Sequence, residues 1–181
     1  MTETMQANRR SQHITIVSET FPPEINGVAN TLRHLCQGLM QRGHRVTVIR
    51  PRQQHERKGN FAVAGEALFT REHVVTGLPL PGYANLRFGL ARTSHLKKLL
   101  AADRPDALYV ATQGPLGVAA TSAAHQMGIP VSSGFHTNFH SYSRYYGVGM
   151  LERLLCLYGR WFHNRTAITL VPTRKMQQAT R

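Results

Sequence analysis

His136 lies just past an apolar run, Ile129–Gly134, that reads as a strand, so its imidazole belongs at the strand's carboxyl end. There the imidazole or its backbone carbonyl can accept hydroxyl protons and stabilise developing positive charge. A structural role for a single histidine remains the other reading. His140 follows four residues later, but His136-Thr137-Asn138-Phe139-His140 lacks the glutamate of H-E-x-x-H and begins at a strand end rather than mid-helix. No metal pair is read there. Asn26-Gly27 offers a different chemistry: a turn with φ > 0 and no side chain on Gly27 would let a phosphate approach helix N–H groups. Thr112 and Gln113 follow another apolar strand and point to contacts on a cleft floor, although helix initiation at Gly114-Pro115-Leu116-Gly117 also accounts for that segment. Tyr142, Arg144 and Tyr145 suit stacking on a ring or gripping a phosphate, and equally suit packing at a rim.

These residues need a scaffold that brings strand ends together. Ile14, Ile16 and Val17 form an apolar run, a Pro-rich loop follows at 21–27, and an amphipathic stretch runs from Val28 to Gln41. Gly43 ends that stretch, and Val46-Thr47-Val48-Ile49 begins a second strand, so residues 13–51 read as one βαβ unit. Further along, Val74-Val75 reads as a strand, Leu78–Gly82 as an irregular exit, and Leu86–Ala102 as a helix with Leu96, Leu99 and Leu100 inward. Ala107–Val110 is a strand, Leu116–Met127 a small-residue helix, Met150–Phe162 a helix and Ala167–Val171 a last strand. Alternation of this kind predicts an α/β fold with a Rossmann-like, doubly wound parallel sheet. The carboxyl ends after Val17, Ala111 and Gly134 should then share one edge.

Two common uses of such an edge fail on the residues. Only Gly27 lies between Ile14 and Gly38, so there is no G-x-G-x-x-G, and Arg50 stands where a ribose-binding acid belongs. No G-x-x-x-x-G-K-[ST] occurs. The loop Phe21-Pro22-Pro23-Glu24-Ile25-Asn26-Gly27-Val28 and the junction Arg42-Gly43-His44-Arg45-Val46-Thr47-Val48 instead resemble the N-terminal half of retaining, GT-B-type glycosyltransferases of family 4. The blocks Thr112–Gly117, Gly134–Phe139 and Tyr142–Gly147 extend the resemblance over residues 13–173. The last two of these blocks resemble the subgroup that includes GDP-mannose-dependent α-mannosyltransferases and sulfoquinovosyl-diacylglycerol synthases. The family usually has two adjacent glycines where this chain has Asn26-Gly27, which leaves less room beside residue 26.

The resemblance implies a retaining transfer of a hexose, mannose by analogy, from a nucleotide-sugar to a lipid or glycan acceptor. His136 would contact the donor sugar near its reacting carbon, Asn26 and Gly27 the donor phosphate or sugar, and Thr112, Gln113, Thr137, Tyr142 and Arg144 the acceptor side. No cofactor is implied; GDP-mannose would be a substrate. The expected layout is a tail at residues 1–12, an acceptor-side domain at 13–173 and, at 174–181, the start of a linker. The family's C-terminal donor-binding domain resembles nothing here, so the mechanism is not completed within these residues.

With 22 Lys+Arg against 9 Asp+Glu, the net charge is +13, which favours polyanions. No zinc-finger spacing, RNP motif or zipper-type basic helix accompanies that charge, so nucleic acid is not the expected partner. The resemblance makes an anionic membrane surface the better fit, because such enzymes use lipid-linked acceptors, and implies a cytoplasmic chain that can lie peripherally on the inner face. Leu151, Leu154, Leu155, Tyr158, Trp161 and Phe162 recur at helical spacing beside Arg153, Arg160 and Arg165, a pattern that also describes an ordinary core-facing stripe. Cys36 and Cys156, both in expected helices, read as small buried hydrophobes in a reduced setting. The alternative to an enzyme is a non-catalytic Rossmann-like module that binds anions or membranes.

Overall fold

The computed structural model describes residues 10–54, 56, 68–80, 83–135 and 157–171. Strand β1 (His13–Val17) leads to helix α1 (Gly27–Gln41) and strand β2 (Arg45–Pro51). Strands β3 (Arg71–Leu80) and β4 (Tyr83–Leu90), helix α2 (Thr93–Ala102) and strand β5 (Ala107–Val110) follow. Helix α3 (Pro115–Gln126) and strands β6 (Val131–Gly134) and β7 (Ile168–Leu170) complete the order, with a helical stretch at 157–163 before β7. The strands form one sheet in the order β4-β3-β2-β1-β5-β6-β7. Every neighbouring pair is parallel except β3 and β4. The chain winds outward from β1 in both directions, which is the doubly wound, Rossmann-like order expected from the sequence.

Successive side chains of a strand face opposite ways, and here each face buries its own core. Ile16, Val46 and Val48 pack with Phe21, Leu32 and Cys36 beneath α1. Val17, Ile49 and Val75 pack with Leu96, Leu100, Leu116 and Ala120 beneath α2 and α3. Three of the four alanines of α3 (Ala120, Ala123, Ala124) are fully buried and Ala119 is partly so, and that helix lies close on the sheet as its composition predicted. Gly43 adopts φ 78°, the left-handed conformation that stops α1, and His44 N–H then reaches back to the Leu39 carbonyl.

Three expectations are corrected. Residues 86–90 belong to strand β4 rather than to the start of a helix, and α2 begins only at Thr93. Leu86 and Leu90, four residues apart, mimic a helix face, but antiparallel pairing of Thr76 with Leu90 and Gly77 with Gly89 decides the conformation. Leu78–Leu80 likewise belong to β3, and Pro79 is accommodated where the register shifts at a bulge. Because β2 pairs with β3 only as far as Val75, the remainder of β3 and β4 form a two-stranded arm beyond the carboxyl edge of the parallel strands. Finally, the Asn26-Gly27 turn needs no positive φ: Asn26 is extended at φ −153°, and among the described residues Gly43 and Gly128 alone have φ > 0.

Arg50, at the end of β2, is fully buried, and its guanidinium is committed to acids. Nη1 and Nη2 donate to the Glu56 carboxylate at 2.8 and 2.5 Å, and Nε donates to Glu72 at 2.6 Å. The position where a dinucleotide fold holds a ribose-binding acid thus carries a neutralised cation.

Candidate functional site

The carboxyl ends of β1, β5 and β6 lie side by side, because β5 pairs in parallel with both β1 and β6. Two helix N-termini open onto this edge. The first follows β1. Asn26 caps α1, its Oδ1 accepting from Ala29 N–H at 2.9 Å, while its Nδ2 donates to Thr20 Oγ1 at 2.7 Å. The Thr20 hydroxyl in turn donates to the Glu24 carboxylate, whose pKa burial raises. At Gly27, the first residue of α1, a Cβ would meet nothing within 4 Å, so the space beside the helix start is open.

The second N-terminus, that of α3, is occupied. Gly114 supplies no side-chain cap, and Pro115 stands at the start of the helix. Leu116 N–H instead donates to Glu19 Oε1 at 2.9 Å, and Gly89 N–H at the end of β4 donates to Glu19 Oε2. Burial pushes the Glu19 carboxyl up to about 7, against the opposing pull of the Gly89, Leu116 and Gly117 N–H groups. The same residue's own N–H donates to Thr112 Oγ1 at 2.7 Å.

Gln113 extends the edge toward β6. Its Nε2 lies 2.7 Å from His163 Nε2, and Ser133 Oγ lies 2.8 Å from His163 Nδ1. With the Gln113 amide nitrogen as donor, Nε2 is the acceptor and Nδ1 carries the proton toward Ser133. Burial lowers the His163 pKa, which keeps the ring neutral in that bridging role. Tyr158 donates its hydroxyl proton to the Gln113 carbonyl. Its ring stacks on Trp161 at 5.8 Å, and Arg165 sits over Trp161 at 5.1 Å. Of the expected apolar stripe, Phe162 is buried in the core, whereas Tyr158 and Trp161 are exposed, as is the neighbouring Leu157.

Asn26, Gly27, Thr112 and Gln113 therefore come together on the edge that the sequence indicated. Thr112 and Gln113 are not idle rim residues, since each has a structural partner as well. His136, Thr137, Tyr142 and Arg144 lie outside the described residues, as do His140, Tyr145, Cys156 and Leu151–Leu155. The chain reaches His136 directly from this edge: Phe135 N–H donates to the Leu170 carbonyl at 2.8 Å, and its ring lies 5.5 Å from that of His163. Sequence reasoning missed Glu19 and His163. A trace of Glu19 was present, because a helix opening on Gly-Pro without Ser, Thr, Asp or Asn must find its cap elsewhere. His163 left no signal, since its partners are set by tertiary contacts.

Among the described residues no group of three His, Cys, Asp or Glu side chains stands together to hold a metal, and no helix is long and apolar enough to cross a membrane. A cavity of about 270 Å³ lined by Phe69, Glu72, His73, Val74, His95 and Leu99 lies at β3, two strands from β1, and includes none of the expected site residues. What the shared edge offers is chemical variety at short range: free N–H groups at α1, amides, hydroxyls and a buried carboxyl. That combination suits a ligand both anionic and rich in hydroxyls.

Comparison with known proteins agrees. The chain is 29% identical over 160 residues to a GDP-mannose-dependent alpha-mannosyltransferase of Mycolicibacterium smegmatis, covering 88% of this chain and 42% of that protein. It is 23% identical over 141 residues to an alpha-monoglucosyldiacylglycerol synthase of Streptococcus pneumoniae, covering 77% of this chain and 30% of that one. It is 23% identical over 149 residues to the sulfoquinovosyl transferase SQD2 of Arabidopsis thaliana, covering 82% and 28%. The chain thus spans less than half the length of these relatives. The match to the description Glycosyltransferase Family 4 runs over residues 25–181, from the loop before α1 onward, and the chain belongs to that family.

Proposed function

We propose that these residues form the acceptor-side half of a retaining glycosyltransferase that moves a hexose, mannose from GDP-mannose, onto a lipid or glycan. The reading rests most on one observation: the open start of α1 at Gly27 shares an edge with Thr112, Gln113 and the strand end that leads to His136. In this reading the α1 N–H groups face the donor phosphate or sugar. His136 stabilises charge at the reacting sugar. Thr112, Gln113, Thr137, Tyr142 and Arg144 face the acceptor. A second, donor-binding domain completes the site. Mannose is preferred because of the relatives named GDP-mannose-dependent; others bear names of glucosyl and sulfoquinovosyl transfer.

The test uses an enzyme that joins these residues to such a domain, with labelled GDP-mannose and membrane lipid. His136→Ala is expected to lower turnover by roughly 10²–10³ with an unchanged melting temperature. Gly27→Val is expected to weaken donor binding while leaving the fold intact. Normal activity of His136→Ala would remove that residue from the site, and a collapse in stability would make its role structural. A non-catalytic module that docks on anionic membranes is the second reading, favoured by exposed Leu157 and Trp161 beside Arg165. It predicts binding to phosphatidylglycerol vesicles with no sugar transfer from the joined enzyme.

A further inference from the structure

Glu19 is the best-buried acid on the cleft edge, and its position is costly unless something uses it. Only 9% exposed, it directs its two carboxylate oxygens at N–H groups from two distant elements, Gly89 on β4 and Leu116 on α3. The space it fills is reserved for it. A Cβ on Gly114 would overlap the carboxylate, and one on Gly89 would crowd Oε2 at 3.1 Å as well as Leu116. Its backbone N–H holds Thr112 Oγ1, so a single residue touches β4, α3 and the loop after β5. α3 has neither a side-chain cap of its own nor an acid in its first turn. Its unpaired N–H groups, together with the helix dipole, would otherwise attract an anion.

We infer that Glu19 is a positioning and selectivity residue: a resident carboxylate that closes the α3 N-terminus to ligand anions, leaves α1 as the open one, and holds β4 and the Thr112–Gln113 loop against it. The selectivity half rests on the reading of this edge as a nucleotide-sugar site. The capping half follows from the hydrogen bonds alone. Asp or Gln does not substitute. Asp is one methylene too short to span Gly89 and Leu116, and Gln turns an N–H₂ group toward one of two donors.

The experiment is amide NMR of the 181-residue chain, wild type against Glu19→Gln and Glu19→Ala. In the wild type the Gly89 and Leu116 amide shifts should move together with one midpoint near pH 7, and in Glu19→Gln that midpoint should vanish. Tyr158, whose pKa burial raises and the nearby Glu19 charge raises further, is the titratable neighbour, and Tyr158→Phe should leave the midpoint in place. In Glu19→Ala, added formate should restore the wild-type Leu116 shift, and inorganic phosphate should perturb the amides of 116 and 117. In the wild type, phosphate should perturb those of 27–29 only. Independent or absent titration of Gly89 and Leu116 in the wild type would overturn the proposal. So would a wild-type response of 116 and 117 to phosphate, or a folded Glu19→Ala that gains none. If Glu19→Ala does not fold, the wild-type and Glu19→Gln titrations decide. A wild type silent at 27–29 but otherwise as expected would defeat the donor-site reading and leave the capping role standing.

Discussion

Two helix N-termini share one sheet edge and are built on opposite plans. At α1 the capping group comes from the chain next door: Asn26 bonds Ala29, and Gly27 beside it borders open space. At α3 the cap comes from 97 residues away, and the glycines around it are pressed against their neighbours: Gly114 against the Glu19 carboxylate, Gly117 against the Thr112 carbonyl. Glycine thus serves two purposes within one cleft. In α1 it keeps a space empty, and in α3 it makes room for a side chain. A glycine at a helix start is consequently no guide to an anion site until its surroundings are known.

The largest test of this contrast is pH. The Glu19 carboxyl sits at about 7 in the folded chain against an ordinary 4.5. The stabilisation associated with the neutral acid is complete below the lower value and lost as pH rises through the higher one, a change on the order of 3 kcal/mol. Denaturant titrations should show the stability of wild type relative to Glu19→Gln falling between pH 5 and pH 8. A flat difference would mean a solvated carboxyl and a corner less closed than described. The ionised form is the better cap yet the costlier one to bury, so this corner trades stability for a fixed geometry.

Paired glycine substitutions come next. Gly114→Ala forces a methyl into the carboxylate and should cost about 2 kcal/mol, in the range of overpacked sites. Gly27→Ala meets nothing and should change stability by no more than roughly 0.5 kcal/mol. Equal effects in thermal unfolding would erase the distinction between the corners. Between these two lies Asn26→Ala, which removes a local cap and should cost about 1 kcal/mol. Hydrogen exchange should localise that loss to the first turn of α1, whereas loss of Glu19 should loosen β4 and α3 together.

The open corner could be read in the sequence and the closed one could not, for the same reason. Asn26 and Gly43 act within a few residues of their partners, and the apolar run Ile14–Val17 marks a strand by its own composition, so cap, stop and strand could be read before any distant pairing was known. The small residues of α3 also announce close packing by composition alone. Glu19 looks like any polar residue after a strand, because Gly89 and Leu116 are remote in the chain. β4 was hidden likewise: Leu86 and Leu90 are four apart, as on one helix face, and only the presence of β3 alongside makes them a strand. Of the candidate site, the shared placement of Asn26, Gly27, Thr112 and Gln113 was legible because a parallel α/β sheet delivers the loops after its strands to one edge. His163 was not, since its value depends on Ser133 and Gln113 closing around it.

The arm formed by the second half of β3 and by β4 joins the parallel sheet through a narrow base. There Gly77 lies so close to the Arg52 carbonyl that no side chain fits, and Gly89 meets Glu19. Past that base, the ladder bonds of the arm are its own. Residues toward its tip can be exchanged, lengthened or shortened without altering a single hydrogen bond between the parallel strands. The fold therefore carries, beside the edge where β1, β5 and β6 end, an element whose tip can change length and composition independently of the parallel ladder.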